Sequence, residues 1–232
     1  MTWNAASVCS GSPFFGVDSV TMTTDPLAPL TELERDALSE LSNVAMARAA
    51  MSLRQMVQAE VHLSVPTVEI MTPEAAAETI AKPGNPNLVA IRQDFSGPFS
   101  GRALLIFPEA TSLELVRVVV GRHLPLEDIV DLEDEALAET GNIILNSWVS
   151  TLANLLKQKL NMSLPMVIRR DQRHIFESAG EQTSVILFLH IRFDIRKQQI
   201  AGYVALMMDI PSIDELRAVI AEFVRNVANP SA

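Results

Sequence analysis

The sequence predicts an α/β protein of the α+β kind: an internally duplicated chain in which one antiparallel-rich sheet carries long exposed helices, with an approximate internal two-fold axis. Three observations predict it. Glu40-Leu41-Ser42-Asn43 returns ninety-nine residues later as Glu139-Thr140-Gly141-Asn142. Each copy has an acid four positions before its glutamate (Asp36, Glu135) and a proline after twenty-two further residues (Pro66, Pro165). Runs of helical and strand periodicity follow both copies in the same order. At 232 residues and 48% apolar composition, the chain can close one good core or two small ones, and a duplicated single domain fits as well.

Residues 1–28 contain no Lys or Arg and are rich in Ser, Thr, Gly and Pro, so a disordered tail is expected. They lack the positive start and apolar run of a secretory signal, and Met22 is a second candidate start beside Met1. Pro29-Leu30-Thr31-Glu32 then opens a first helix, with Thr31 as N-cap and Glu34 completing a capping box. Helical spacing continues to about Ala59. Val61 to Met71 reads as a strand crossing Pro66, which puts that proline at an edge or a bend. Thr72-Pro73-Glu74 starts a short helix through Ile80. After the turn at 82–86, Leu88 to Phe95 and Phe99 to Phe107 form a hairpin about Ser96-Gly97-Pro98. A helix from Pro108-Glu109 to about Val120 follows, with Gly121 placed to end it.

The second unit repeats that order. A link over Leu124 to Asp131 leads to the helix carrying Glu139 and Asn142, expected to run to about Leu160, and then to a strand through Pro165 to Arg170. Beyond a polar connection holding Gly180, Val185 to Ile195 alternates so that Val185, Leu187, Leu189, Ile191 and Phe193 share a face. Ile200 to Met208 pairs back with it, Ser100 to Leu104 matching Ala201 to Ala205, and a helix over Pro211 to Val227 closes the chain. Residues 29–232 thus read as one domain of two repeats, about 29–123 and 124–228. The two hairpins are expected to join edge to edge, helices covering one or both faces. Met46, Met51, Met56, Met162, Met207 and Met208 are expected in the core.

A net charge of −10 argues against nucleic acid or an anionic membrane surface as partner. No apolar run is long enough to cross a bilayer, so no membrane insertion is expected, and the single cysteine, Cys9, fits a reducing cytoplasm. Cys9 has no second cysteine to bond, and His62, His123, His174 and His190 lack ligand-like spacing, so no metal site is expected.

At about 100° per residue, Asp36, Glu40 and Asn43 fall within about 60° of one another on a helix, and so do Glu135, Glu139 and Asn142. Leu38, Leu41 and Ala45, and likewise Leu137, Ile144 and Trp148, lie on another face. Each helix would bury its apolar stripe and show solvent a carboxylate with a carboxamide one turn on. Asn is a poor helix-interior residue, costing roughly half a kcal/mol against Ala, yet it stands at the same outward place twice. The acidic run Asp128, Asp131, Glu133, Asp134, Glu135 has two readings, a helix start favoured by the dipole or a surface that steers a basic partner.

An acid or serine, three residues, Glu, two residues, Asn, then twenty-two residues and Pro resembles the motif of the CheC, CheX and FliY phosphatases of bacterial chemotaxis. The match spans roughly residues 30 to 227, and two copies in one chain resemble the CheC-like arrangement. The chain departs from the pattern at Val44-Ala45-Met46-Ala47-Arg48, where the family often has small residues and glycine, and at Glu135, where Asp or Ser is usual. The resemblance implies a CheC-like fold and dephosphorylation of a CheY-like response regulator. Asn43 and Asn142 would orient a water for in-line attack on the aspartyl phosphate, and Glu40 and Glu139 would pair with the regulator's lysine. Asp36, Glu135, Pro66 and Pro165 would support them. It implies no cofactor of the chain's own, the Mg²⁺ being supplied by the regulator. A rival reading is a non-catalytic adaptor that binds a receiver domain or a CheD-like deamidase.

Overall fold

The computed structural model describes residues 27–81, 87–120, 132–155, 157–177, 185–195 and 198–228. All but the last two residues of the expected tail, the turn at 82–86, Gly121, the 124–131 link and Gly180 lie outside the described residues.

Helix α1 (Glu32–Val57) starts as its sequence requires. Thr31 Oγ1 accepts from the Glu34 N–H at 3.2 Å, and the Glu34 carboxylate accepts from the Thr31 N–H at 2.8 Å, so two orphan donors are satisfied reciprocally. Strand β1 (Val61–Met71) leads to α2 (Pro73–Ile80), capped by Thr72 with Pro73 in its first turn. The hairpin β2 (Asn87–Ser96) and β3 (Gly101–Pro108) is followed by α3 (Glu109–Val120). The second half begins with α4 (Glu133–Leu155), continues through β4 (Asn161–Met162) and β5 (Met166–Asp171) to the hairpin β6 (Val185–Ile195) and β7 (Gln198–Met208), and ends with α5 (Ile210–Ala228).

Three local expectations need correction. Helix α4 stops at Leu155 instead of about Leu160, because Lys157 adopts a left-handed conformation (φ 51°). The Gln158 N–H then returns to the Ala153 carbonyl and the Lys157 N–H to Asn154, a Schellman closure built without glycine. The strand expected through Pro165 is two strands, β4 and β5, with residues 163–165 outside both. Met51 is 61% exposed on α1, while Met46, Met207 and Met208 are buried.

The strands form one sheet in the order β1-β6-β7-β3-β2-β4, with β5 also on β2, and every pairing is antiparallel. The hairpins meet through β3 and β7, where Leu105 faces Val204. Reading outward from that seam gives β7-β6-β1 on one side and β3-β2-β5 on the other, the two-fold arrangement expected of the repeat. The equivalence of the hairpins is shifted from the sequence match of Gly101 with Gly202. Thr67 pairs with His190 and His190 with Tyr203, whereas Met166 pairs with Arg92 and Arg92 with Leu104. Leu104 therefore corresponds to Tyr203 and Gly101 to Ile200.

Alternate strand residues divide the core. Val89, Ile91, Phe95, Leu105, Leu187, Ile191 and Phe193 face the layer made by α1, α3, α4 and α5. Leu88, Ala90, Leu104, Ile106, Ile186 and Phe188 face α2 and the Ile175-Phe176 segment. The two motif helices touch each other across the first layer. Trp148, 2% exposed, donates from Nε1 to Ser42 Oγ at 3.0 Å, and Arg48 Nη1 donates to Thr151 Oγ1 at 3.2 Å.

Candidate functional site: two carboxamides above two broken edge strands

On α1, Leu38, Ala45, Met46 and Ala49 are buried, which turns Asp36, Glu40 and Asn43 to solvent. The carboxamide of Asn43 is not loose. Its Oδ1 accepts from the Val65 N–H at 3.0 Å. The donor is available because β1 loses register with β6 between Ser64 and Thr67, at the residue pair that contains Pro66. Proline has no N–H to give the ladder, so the edge strand bulges there, and the bulge releases the neighbouring Val65 N–H toward the helix. The fixed interval from Asn43 to Pro66 is thus the length of chain that leaves the motif helix and returns beneath it.

On α4, Glu135 and Glu139 are exposed and Asn142 is half-buried. The equivalent strand is broken more completely. Asn161–Met162 and Met166–Asp171 each pair with β2, and the loop between them is bound to the strand by Asp94 N–H to Ser163 Oγ at 2.9 Å and Ser163 N–H to Asp94 O at 2.8 Å. Here Pro165 is half-buried, Leu164 is 88% exposed and Met166 is exposed, an apolar lip that the first site, with Pro66 and Thr67, lacks. Asn142 is anchored by side chains instead of backbone. Its Oδ1 accepts from Gln93 Nε2 at 3.2 Å and from Asn146 Nδ2 at 2.6 Å, and Gln93 Nε2 also donates to the Ser163 carbonyl at 2.9 Å.

The orientation of these amides follows from the partners. A backbone N–H can only donate, so Asn43 presents oxygen to Val65 and its NH₂ elsewhere. The Ser163 carbonyl can only accept, which fixes Gln93 with its nitrogen toward the loop and hence Asn142 with its oxygen toward Gln93. Both motif asparagines therefore use the oxygen internally and keep Nδ2 for something else. Among the described residues neither Glu40 nor Glu139 has a hydrogen-bond or ion-pair partner.

A close approach of helix to sheet creates the second arrangement. A Cβ on Gly141 would lie 2.4 Å from Ile91 Cγ2, so only glycine lets α4 settle this near β2. Gln93, two residues along the same face of β2, then reaches Asn142. The α1 residue in that place is Ser42, whose hydroxyl is the one Trp148 donates to.

The structure brings Glu40 and Asn43 onto one exposed ridge and Glu139 onto another, where Asn142, expected exposed, is half-buried because its oxygen is drawn to Gln93; Pro66 and Pro165 sit at the strand breaks beneath. It makes no bond between Asp36 or Glu135 and the motif residues. Glu133 and Asp134 lie 3.3 and 2.7 Å from Arg169 Nη2, and Asp134 raises the guanidinium pKa further, so this part of the acidic run fastens α4 to β5. Asp128 and Asp131 lie outside the described residues. Sequence reasoning missed Gln93, Asn146 and the Val65 N–H. Gln93 alone left a signal, as the polar member of the inward series Val89, Ile91, Gln93, Phe95. Among the described residues no group of three or more His, Cys, Asp or Glu could hold a metal.

Comparison with known proteins bears on the fold and on the sequence around the second motif. The family model "Chemotaxis phosphatase CheX" matches residues 89–189, a span holding Gln93 and the whole second motif. The chain is also similar to the CheC and FliY phosphatases, over about 60% of its length. It is 26% identical over 143 residues to the CheY-P phosphatase CheC of Bacillus subtilis, covering 60% of this chain and 67% of CheC. To the flagellar motor switch phosphatase FliY of the same organism it is 23% identical over 140 residues, covering 60% of this chain and only 36% of FliY. Thermotoga maritima FliY superposes with a TM-score of 0.67 at 17% identity, over 84% of this chain and 98% of that one. The FliM middle domain from H. pylori superposes with a TM-score of 0.54 at 11% identity, over 82% and 99%. The CheC-like fold is therefore shared with Thermotoga maritima FliY and with the FliM middle domain, and the fold by itself does not select an activity.

Proposed function

We propose that this chain is a phosphatase of a phosphorylated CheY-like response regulator, using Asn43 and Asn142 to place the attacking water. One observation carries the reading: each asparagine is tethered by its oxygen and, among the described residues, keeps an unspent NH₂ one helical turn from a glutamate without a partner. A carboxamide has no useful acid or base chemistry, so its contribution is to hold water in line with the phosphorus while the aspartyl carboxylate leaves. The water oxygen bonds to phosphorus, the acyl phosphate P–O bond breaks, and the products are inorganic phosphate and the free aspartate. In this reading Glu40 and Glu139 meet the regulator's lysine, and the regulator's own Mg²⁺ neutralises charge on the phosphoryl group. The name of the CheC relative, a CheY-P phosphatase, supports the substrate class, and that of FliY supports the phosphatase activity.

The required catalysis is small. A hundredfold acceleration over spontaneous decay needs about 2.7 kcal/mol, within reach of one well-placed water and the exclusion of bulk solvent. Phosphate release from a phosphorylated receiver with Mg²⁺ tests the proposal. Wild type should outpace spontaneous decay, and Asn43→Ala with Asn142→Ala should return the rate to the spontaneous one. Retained binding with no rate difference between that double variant and wild type would instead identify an adaptor.

A further inference from the structure

Gln93 is expensive where it stands. It is 1% exposed in the apolar layer between Ile91 and Phe95, and its Oε1 is buried with no hydrogen-bond partner among the described residues. A buried carboxamide is costly unless its bonds are made. Packing does not require it, because the strand register that makes Arg92 equivalent to His190 makes Gln93 equivalent to Ile191, also buried in the same layer of the other half. What distinguishes Gln93 from that isoleucine is its two donated bonds, one to the Ser163 carbonyl beside Pro165 and one to Asn142 Oδ1. Asn146 supplies a second donor to the same oxygen.

From this we infer that Gln93 is a positioning residue of the second site, acting with Asn146 to clamp the Asn142 carboxamide; the inference rests on the phosphatase reading. Both lone pairs of Asn142 Oδ1 are occupied, so the group that meets the water is Nδ2 alone, aimed in one direction. At the first site Asn43 Oδ1 accepts a single bond from backbone, which leaves its amide a lone pair and more freedom about χ2. The two sites are chemically unequal: the second is set in advance by a side-chain network, and the first is set by the bulge in β1. Gln93 also joins the water-holding residue to the Ser163–Met166 loop, so the apolar lip at Leu164 and Met166 and the Asn142 amide are positioned together.

Steady-state release from a CheY-like receiver, phosphorylated with acetyl phosphate and freed of the excess, separates the possibilities. Gln93→Leu and Asn146→Ala are each made in an Asn43→Ala background, where only the second site can act, and in an Asn142→Ala background, where only the first can. The expected result is a fall in kcat of tenfold or more with KM within twofold in the first background, and a change under twofold in the second. The Asn142 side-chain NH₂ resonances should also move in both variants. Equal losses in the two backgrounds, or no loss in the first, would overturn the inference while leaving the phosphatase reading intact. Wild type no faster than spontaneous decay would overturn that reading and the inference with it. If Gln93→Leu does not fold, Asn146→Ala alone decides, since an alanine on the half-exposed side of α4 is a helix former.

Discussion

Asn43 and Asn142 are the same residue at the same turn of equivalent helices, and their surroundings make them different. Asn43 is held by one backbone N–H released at a proline bulge, whereas Asn142 is held by two side chains brought close by a glycine. Gly141→Ala tests the second of these. The added methyl has nowhere to go beside Ile91, so a destabilisation of about 1–3 kcal/mol is expected in urea unfolding, despite the better helix propensity of alanine. Another residue-level expectation concerns His190. Burial between Phe188 and Tyr203 holds its pKa below the ordinary histidine value; Arg192 adds to that, and Glu69 opposes it. A folded-state pKa below the unfolded one means that the unfolded chain binds the proton more readily. The contribution of this histidine to stability should therefore be fully present above the ordinary value of 6.5 and be lost as the pH falls below it. His190→Phe should flatten that part of a stability–pH profile measured by urea unfolding; an unchanged slope would refute the assignment.

Each element's start was written in short-range chemistry, and its end was not always. Thr31 with Glu34, and Thr72 with Pro73, declare helix starts that the structure reproduces. Thr31→Ala should cost about 1 kcal/mol by thermal unfolding, since it strands the first-turn donors. The two motif helices end on Gln58 and Lys157, both at positive φ (49° and 51°), where a glycine would have been the readable signal. A left-handed residue with a Cβ carries roughly 1–2 kcal/mol of strain, and glycine carries roughly 0.5–1 kcal/mol of extra unfolded-state entropy. Lys157→Gly should therefore raise stability by up to about 1 kcal/mol, and a loss would show that its side chain makes contacts of its own. Strands β1 and β4–β5 show the same logic at an edge. Only an edge strand can host Pro66 or Pro165 without breaking a ladder on both sides, and both occupy edges.

At the scale of the molecule, the halves share one sheet and one helical layer. The β3–β7 seam, the Trp148–Ser42 hydrogen bond and the Arg48–Thr151 hydrogen bond all cross between them. A fragment of residues 27–123 would expose the β3 edge and lose the partner of the α1 face. Such an edge recruits another strand, so the fragment is expected to dimerise or aggregate in size-exclusion chromatography, and a cooperatively unfolding monomer would contradict this. The seam also places both carboxamide ridges on one rigid body, so the sites should act independently at a fixed separation. Phosphatase rates of the single variants Asn43→Ala and Asn142→Ala should then sum to the wild-type rate, a measurement that also reports how the activity divides between them.

The amino-acid sequence by itself determined the duplicated α+β order, the caps, the inward faces of the hairpins and the motif residues, because those are set by contacts a few residues apart and by periodicity. Only the tertiary structure decided what holds each asparagine, why the prolines keep their distance from them, and which glycine in one hairpin corresponds to which residue in the other. Gln93 is forty-nine residues from Asn142 and seventy from Ser163, and hydrogen bonds at that separation depend on how closely a helix rests on a sheet. Neighbouring residues along the chain carry no record of that distance.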